Sequence, residues 1–334
     1  MFKYIRQLFK DASIKELVTT LPGNYNNIRR PLFNSNGLSY MVTGNRKLFK
    51  LGKNNIMSYF YIEPLDITDY EACSSSGSVL LIPMTTDSSI PTNYKIQWFD
   101  PKDENFTPLL NSHLTSPSCI AHTKGDTIGS SIVSYVSTST KGEVELVTMF
   151  INALGHVVRH ARTLESSVRR LNYVRVQNPQ GLHIHLVITF ESDLTVAYEV
   201  KPETNTVFES NSISHVTIPE LYCNISNNMF DMIVTYEPLT ELINIELPIV
   251  NGSRLTSTVV QSLVARKPIQ SIRHFGMIND YFYFGCLTVK GDQIHVYEVD
   301  PVLLTVRKAK VLYTHVKDIS ALSIHGVSLY VNWN

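Results

Sequence analysis

A short strand-like phrase that recurs about every fifty residues is the feature that most constrains the fold. Alternating apolar residues lead to a proline in the stretches YKIQWFDP, DLTVAYEVKP, ELINIELP and QIHVYEVDP. Alternation with a period of two is typical of a β-strand, and the proline that follows favours a turn. Self-similarity at a fixed period of roughly 20 to 50 residues indicates an array of related structural units.

Each copy of the phrase lies within a group of four predicted strands. In the best-defined group the strands IQSIRHFG, YFYFGCLTV, QIHVYEVD and LLTVRKAKVLY are separated by short loops such as MIND and KGD, which contain the Gly, Asn and Asp of hairpin turns. The third strands of five such groups begin near residues 95, 144, 194, 242 and 293, a spacing of 48 to 51 residues. The sequence therefore predicts a chain of four-stranded antiparallel units.

The two ends of the chain carry incomplete groups. Two predicted strands lie within residues 37–53 and two more close the chain, the last of them over residues 329–333. Pairing these halves would complete a sixth unit and remove two open sheet edges, which otherwise invite aggregation. A seventh unit would instead need strands from residues 20–36 and 54–72, which are rich in Asn and Pro. We expect six units, with seven as the alternative.

A four-stranded unit of this length cannot bury both of its faces alone, whereas radial stacking of several units does. The chain accordingly resembles β-propeller repeat proteins, WD40-like in architecture, over residues 37–334. The WD40 Gly-His and Trp-Asp pairs are missing, since Trp98 and Trp333 lie elsewhere, and no Ser-x-Asp-x-Gly box occurs. The resemblance implies an all-β propeller of six four-stranded blades, closed by its terminal strands, without a specific family.

The N-terminal segment, residues 1–22, lies outside the repeat and has helical periodicity. One side of its helical wheel is apolar, with Phe2, Tyr4, Ile5, Leu8, Phe9 and Ala12, and the other is basic, with Lys3, Arg6 and Lys10. We expect a short amphipathic helix packed on the flank of the propeller. The alternative is a helix that docks on a partner or lies on a membrane surface. In that case the binding residues would be Phe2, Ile5, Leu8 and Phe9.

The stretch RHARTLESSVRRL concentrates arginines near the junction of two predicted units. Guanidinium groups suit the recognition of carboxylate and phosphate, so an acidic partner is one interpretation of this cluster. Solvated charge on an outer strand and loop is the other. The candidate partner-binding residues here are Arg159, Arg162, Arg169 and Arg170.

Motifs for catalysis, metal and cofactor binding are missing from the sequence. GxGxxG, Walker A, GxSxG, HExxH and EF-hand patterns do not occur, so we predict no catalytic residue, metal or cofactor. His183 and His185 point to one face of a predicted strand, but without a third ligand they are expected to be structural. The blade-opening strands also contribute the ionisable residues from which an enzyme site would have to be assembled: Cys119, His122, Arg169, Arg170, Arg273 and His274.

Composition limits the function classes. The residues are 43% apolar and 17% charged, so the chain can bury a substantial core. The formal net charge is zero, which favours neither nucleic acid nor an anionic membrane as a partner. No apolar run is long enough for a transmembrane segment, and no secretory signal is recognisable. Four widely separated cysteines without a CxxC pair suit a reducing compartment, so we expect a soluble cytoplasmic protein.

These features favour a non-catalytic interaction module that binds a protein or peptide partner through the loops, channel mouth or rim of a propeller. One alternative is a hydrolase or lyase with its site at the channel mouth. Another is a glycan- or receptor-binding protein, or a structural component of a larger cellular or viral assembly. An enzyme should bring together ionisable groups with shifted pKa values, whereas a scaffold should expose apolar side chains.

Overall fold

The computed structural model describes the strands given below together with part of the side chains. Its described side chains lie in residues 95–100, 103, 105–112, 119–127, 129–137, 141–192, 194–207, 231–251, 255–272, 281–308 and 311. Within the described residues the secondary structure consists of β-strands and one 3-10 turn, and no α-helix is present. None of the described segments is a helix long and apolar enough to cross a membrane. The first strand among the described residues is the short β1 (Ile5–Gln7).

The first of two compact units comprises residues 33–216 and 250–256 and contains four antiparallel sheets, each of four strands in chain order. We number these sheets I to IV. Sheet I contains β2 (Phe33–Ser35), β3 (Leu38–Val42), β4 (Lys47–Leu51) and β5 (Met57–Tyr61). Sheet II contains β6 (Asp69–Ser75), β7 (Ser78–Met84), β8 (Tyr94–Asp100) and β9 (Asn105–Leu114). Sheet III contains β10 (Cys119–Lys124), β11 (Ser131–Thr138), β12 (Val144–Ile151) and β13 (Val157–Leu164). Sheet IV contains β14 (Val168–Asn178), β15 (Gly181–Phe190), β16 (Thr195–Lys201) and β17 (Thr206–Ser210), with a 3-10 turn (Pro202–Thr204) before β17.

The second unit comprises residues 1–32, 217–249 and 257–334 and contains most of sheet V together with sheets VI and VII. Sheet V contains β18 (Tyr222–Ser226), β19 (Asp231–Glu237), β20 (Leu242–Asn251) and β21 (Arg254–Val264). Sheet VI contains β22 (Ile269–Ile278), β23 (Tyr281–Thr288), β24 (Gln293–Asp300) and β25 (Thr305–Tyr313). Sheet VII contains β26 (Ile319–His325) and β27 (Ser328–Trp333), with the strands ordered β1-β27-β26.

The repeat predicted from the sequence is present. The third strands of sheets II to VI begin at Tyr94, Val144, Thr195, Leu242 and Gln293, each within one residue of the predicted start. The period also extends one copy further towards the N-terminus, where β4 is the third strand of sheet I. An all-β chain of four-stranded antiparallel units is therefore confirmed.

The pairing of the terminal strands differs from the prediction. β27 pairs with β1, in the register Ile5↔Tyr330, and not with residues 37–53. Those residues form β3 and β4, which pair with each other and are flanked by β2 and β5 in a complete sheet. The strands β2 and β5 arise from the two Asn- and Pro-rich stretches considered for a seventh unit. β2 is only three residues long, too short for alternation to stand out in the sequence, and β5 is five residues long.

The predicted N-terminal helix is not seen. Ile5 lies in β1, where strand pairing with β27 outweighs the helical periodicity of the surrounding residues. The remaining candidate binding residues of this segment, Phe2, Leu8 and Phe9, lie outside the described residues.

The core lies between neighbouring sheets, because successive side chains of each strand point to opposite faces. In sheet III one set of alternating residues joins a core shared with sheet IV; it includes Ile132, Val136, Leu146 and Phe150. The other set joins a core shared with sheet II; it includes Val133, Tyr135, Val147 and Met149. Sheet III thus depends on both neighbours to bury its apolar area, at roughly 25 cal/mol per Å². This dependence is the physical reason why the units repeat.

Candidate partner-binding groove between sheets III and IV

A groove opens in the first unit where the outer strands of sheets III and IV meet. Its first part is a pocket of about 240 Å³. Strands β12 and β13 form one wall, and β16 and β17 form the other. The lining residues are Leu146, Thr148, His160, Ala161, Arg162, Tyr198, Thr206 and Val207.

An arginine from one sheet covers a tyrosine from the other. Arg162 lies in β13, the exposed outer strand of sheet III, opposite Leu146 of β12. Its Cζ is 5.2 Å from the ring centroid of Tyr198, which is buried in β16. A cation over an aromatic ring contributes about 0.5–1 kcal/mol at an exposed site. Arg162 therefore forms a charged rim above an aromatic floor.

The polar part of the groove floor is formed by side chains that stand in one row across three strands. Ser134, Thr148 and His160 stand in register across β11, β12 and β13. The Ser134 hydroxyl lies 2.7 Å from the Thr148 hydroxyl and 2.7 Å from the phenol of Tyr173 in sheet IV. Burial raises the pKa of Tyr173 well above its ordinary range, so its phenol stays protonated at neutral pH. The two sheets are thus hydrogen-bonded directly beneath the groove.

The groove continues into a second pocket of about 300 Å³ at the loop end of the two sheets. The two pockets follow one another along the strands, because Thr148 and Thr206 line the first whereas Phe150 and Asn205 line the second. Between them His160 packs edge-on against Phe150, with 5.9 Å between ring centroids. Ile132, Val158 and Pro202 add apolar surface to the second pocket.

Two carboxylates stand on opposite walls of the second pocket. Asp126 comes from the loop between β10 and β11, and Glu203 from the 3-10 turn before β17. Both are exposed. The neighbouring loop between β12 and β13 is closed by Asn152, whose Oδ1 accepts hydrogen bonds of 2.9 Å from the backbone N–H groups of Leu154 and His156. The groove therefore has a cationic end at Arg162 and an anionic end between these loops.

The four arginines singled out in the sequence have different surroundings. Arg162 lines the groove, whereas Arg159 lies opposite Met149, a residue of the core shared with sheet II. Arg169 and Arg170 belong to β14, where the Cys119 thiol donates a hydrogen bond of 3.3 Å to the carbonyl oxygen of Arg169. Burial raises the pKa of the Cys119 thiol and outweighs the lowering by Arg170. The role of the four arginines as partner-binding residues stays a prediction.

Sequence reasoning missed the side chains from sheet IV that complete the groove. Tyr198 lies in the third strand of its unit, where apolar alternation indicates a core residue. Thr206 begins the fourth strand, where the sequence indicates a turn. One available signal was the recurrence of Tyr-Glu-Val in two third strands, AYEV and VYEV. That recurrence marks a fixed aromatic position at the sheet junction.

The histidine pair of β15 has a structural environment. His183 Nδ1 lies 3.6 Å from Glu199 Oε1. His185 is completely buried, and within the described part of the chain neither of its ring nitrogens has a hydrogen-bond partner. Burial lowers the pKa of His185 to about 4, so its ring is neutral. Among the described residues no group of three or more His, Cys, Asp or Glu is placed to hold a metal ion. The side chains of Arg273 and His274 lie outside the described residues.

Comparison with known proteins identifies the fold. No family model matches the chain, and no curated protein matches its sequence. The WD40 propeller domain of Doa1 matches with a TM-score of 0.52 at 10% identity, over 98% of this chain and 96% of that one. BBS1N in complex with ARL6DN matches with a TM-score of 0.52 at 11% identity, over 100% and 97% of the two chains. A streptogramin B lyase matches with a TM-score of 0.50 at 12% identity, over 100% and 98%. At these identities the similarity shows the fold alone, and the resemblance to β-propeller proteins is confirmed.

Proposed function

We propose that the chain is a seven-bladed propeller, sheets I to VII being the blades, and that it is a non-catalytic interaction module. Its partner is a protein that presents an extended segment to the groove between sheets III and IV. The observation that carries this proposal is the succession of two pockets, of about 240 and 300 Å³, along one junction. Two successive pockets with an aromatic floor and charged ends suit a linear segment better than a compact substrate.

The chemistry of the groove supports an extended segment. The outer strand β13 is the last strand of sheet III and pairs with β12 alone within that sheet, so its outer edge is available for main-chain hydrogen bonds. Apolar side chains of the segment would pack on Tyr198, Phe150 and Val207. Arg162 suits an acidic residue, and the wall of Asp126 and Glu203 suits a basic one, which fixes the direction of the segment.

The fold is compatible with this role. BBS1N, which is similar in fold, was solved in a complex with ARL6DN. Fold alone does not assign function, so the proposal rests on the groove.

The test is a selection of random linear peptides against the full chain, followed by affinity measurements on two charge reversals of the same strand. Arg162→Glu changes the groove, whereas Arg159→Glu makes the same change on the other face of β13. We expect Arg162→Glu to raise the Kd of the selected peptides by at least about tenfold, or about 1.4 kcal/mol, and Arg159→Glu by less than about twofold.

A second pair of variants tests the space in the groove. Thr206→Trp fills the first pocket, and Thr163→Trp adds the same bulk to an exposed position of β13 outside it. Loss of binding in the first variant alone supports the proposal. Binders that tolerate both Arg162→Glu and Thr206→Trp would place the interaction elsewhere, and a chain that selects no peptide would contradict the proposed function itself.

A further inference from the structure

Three connections meet at one end of sheets V and VI, within the second unit. The first is the turn between β19 and β20, residues 238–241. The second joins β21 to β22, residues 265–268, and the third is the turn between β23 and β24, residues 289–292. We call these three segments the loop platform.

Hydrogen bonds between backbone groups hold the loop platform together. Ala265 N–H donates to the carbonyl oxygen of Glu241 at 2.8 Å, which joins the first connection to the second. Val289 N–H donates to the carbonyl oxygen of Pro268 at 3.0 Å, which joins the second connection to the third. Because main-chain atoms make these bonds, the order of the three connections across the platform does not depend on their side chains.

An exposed aliphatic side chain accompanies each of the three connections. Leu239, in the first turn, is 95% exposed, and Val289, in the third, is 60% exposed. Val264, the last residue of β21 before the second connection, is 69% exposed. Turn positions usually hold Gly, Pro, Asn, Asp or Ser, whereas aliphatic side chains in turns expose apolar area to water. Exposed apolar residues that lie together mark an interaction site.

The charged side chains of the loop platform are sorted by sign. Glu241 is exposed in the first connection, and Arg266 and Lys290 are exposed in the second and third. Lys267 Nζ and Asp292 Oδ2 lie 2.7 Å apart, so these two charges neutralise each other. Among the described residues Glu241, Arg266 and Lys290 form no ion pair. The platform therefore has an acidic end at the first connection and a basic end at the third.

This order of charges makes the loop platform complementary to a copy of itself. A two-fold rotation about an axis through the second connection places the acidic end of one copy on the basic end of the other and brings the aliphatic side chains together. An anionic membrane offers no opposite charge to Glu241, whereas a second copy offers Lys290.

We propose that the loop platform binds a second copy of the chain in a symmetric dimer, in which Glu241 of each copy pairs with Lys290 of the other. Leu239, Val264 and Val289 form the apolar centre of the contact. Three short connections from each copy make a small interface, so the dimer is transient. The contact lies in the second unit and goes beyond the groove between sheets III and IV.

Sedimentation equilibrium of the full chain, from about 10 to about 500 μM, measures this association. We expect a monomer–dimer equilibrium with a Kd of about 100 μM or lower. Leu239→Asp places a charge in the apolar centre and should raise this Kd at least about tenfold. The matched control is Val302→Asp, since Val302 is 86% exposed in the turn between β24 and β25, at the opposite end of sheet VI. The control should change the Kd less than about twofold.

An exchange of charges tests the pairing without an apolar substitution. Glu241→Lys and Lys290→Glu each bring like charges together at both ends of the dimer, so each alone should raise the Kd at least about fivefold. The double variant with both changes has the native net charge and again places opposite charges at both ends. Its Kd should return to within about threefold of the native value.

Three results would overturn the proposal. The first is a chain that stays monomeric up to about 500 μM, and flotation of that chain with phosphatidylcholine vesicles, lost in Leu239→Asp, would assign the platform to a lipid surface. The second is an equal effect of Leu239→Asp and Val302→Asp, which would place the dimer contact elsewhere. The third is a double variant as weak as either single variant, which would show that Glu241 and Lys290 do not meet. Peptide binding in the groove is a separate result, because Leu239→Asp should leave the Kd of the selected peptides unchanged.

Discussion

The strands β16 and β24 carry the same three residues, Tyr-Glu-Val, at the same place in their sheets, yet the two glutamates have different partners. In both strands the tyrosine and the valine face the core shared with the preceding sheet, as Tyr198 and Val200 do in one and Tyr297 and Val299 in the other. The glutamate between them faces the opposite side of the strand.

Glu298 in β24 is surrounded by donors from both neighbouring strands. It is 6% exposed, and it accepts a hydrogen bond of 2.6 Å from the Tyr283 hydroxyl. Arg307 holds the other carboxylate oxygen with Nε at 2.8 Å and Nη2 at 2.6 Å. These three residues stand in register across β23, β24 and β25. Burial and the adjacent Glu298 carboxylate raise the pKa of Tyr283, so the phenol remains a donor.

Glu199 in β16 has His185 and Phe208 at the two corresponding register positions. Its nearest ionic partners are offset along the strands, with His183 Nδ1 at 3.6 Å and Lys201 Nζ at 3.9 Å. His185 occupies the place of Tyr283, and its ring nitrogens have no hydrogen-bond partner among the described residues. The core-facing residues are therefore alike in the two sheets, whereas the other face holds a satisfied network in sheet VI and a partly satisfied one in sheet IV.

The largest expected effect is a loss of stability in acid. His185 and His295 each have a folded-state pKa of about 4, below the ordinary value of 6.5, so the unfolded chain binds protons that the folded chain does not. The free energy of unfolding is therefore not reduced by these histidines above pH 6.5, and it falls as the pH drops towards 4. Each histidine costs up to about 3 kcal/mol at the lower end.

Urea unfolding between pH 7 and pH 4 measures this effect. His185→Phe should remove the share due to His185 and leave that of His295, so the variant should lose less stability across the range than the native chain. Parallel pH profiles for the two proteins would show that His185 is not held neutral by burial.

The next largest effect compares the stability that Glu298 and Glu199 gain from their ionic partners. Arg307→Met removes the side chain whose two nitrogens hold one oxygen of the buried Glu298 and should cost about 2 kcal/mol, less than for a fully buried pair because the Arg307 side chain is 70% exposed. Lys201→Met removes the looser partner of Glu199 and should cost about 0.5 kcal/mol or less. Thermal and urea unfolding of both variants provide the comparison. Similar losses would mean that the closer geometry around Glu298 adds no stability.

The sequence predicts the parts of this molecule that depend on local patterns. Alternation and turn residues located the third strands from Tyr94 to Gln293 and the strands around them. The pairing of Ile5 with Tyr330 was not predictable, because a three-residue strand has almost no local pattern and its partner lies at the other end of the chain. Arg162 could be named as a candidate because charge on an outer strand is visible in the sequence. Its contact with Tyr198 could not be predicted, since it depends on how two sheets stack.

The smallest effect has opposite signs at the two tyrosines. Arg162→Gln removes a cation from the face of the Tyr198 ring and should destabilise the chain by about 0.5–1 kcal/mol. Arg266→Gln removes a charge that lowers the pKa values of Lys308 and His295, so the folded state should lose repulsion and become more stable by a few tenths of a kcal/mol at low salt. The pKa of Lys308 should rise in that variant, which lysine NMR measures independently of stability. Added salt should reduce the gain, because it screens exposed charges over about 10 Å at 0.1 M. If Arg266→Gln instead destabilises the chain as Arg162→Gln does, repulsion between Arg266 and Lys308 does not oppose folding.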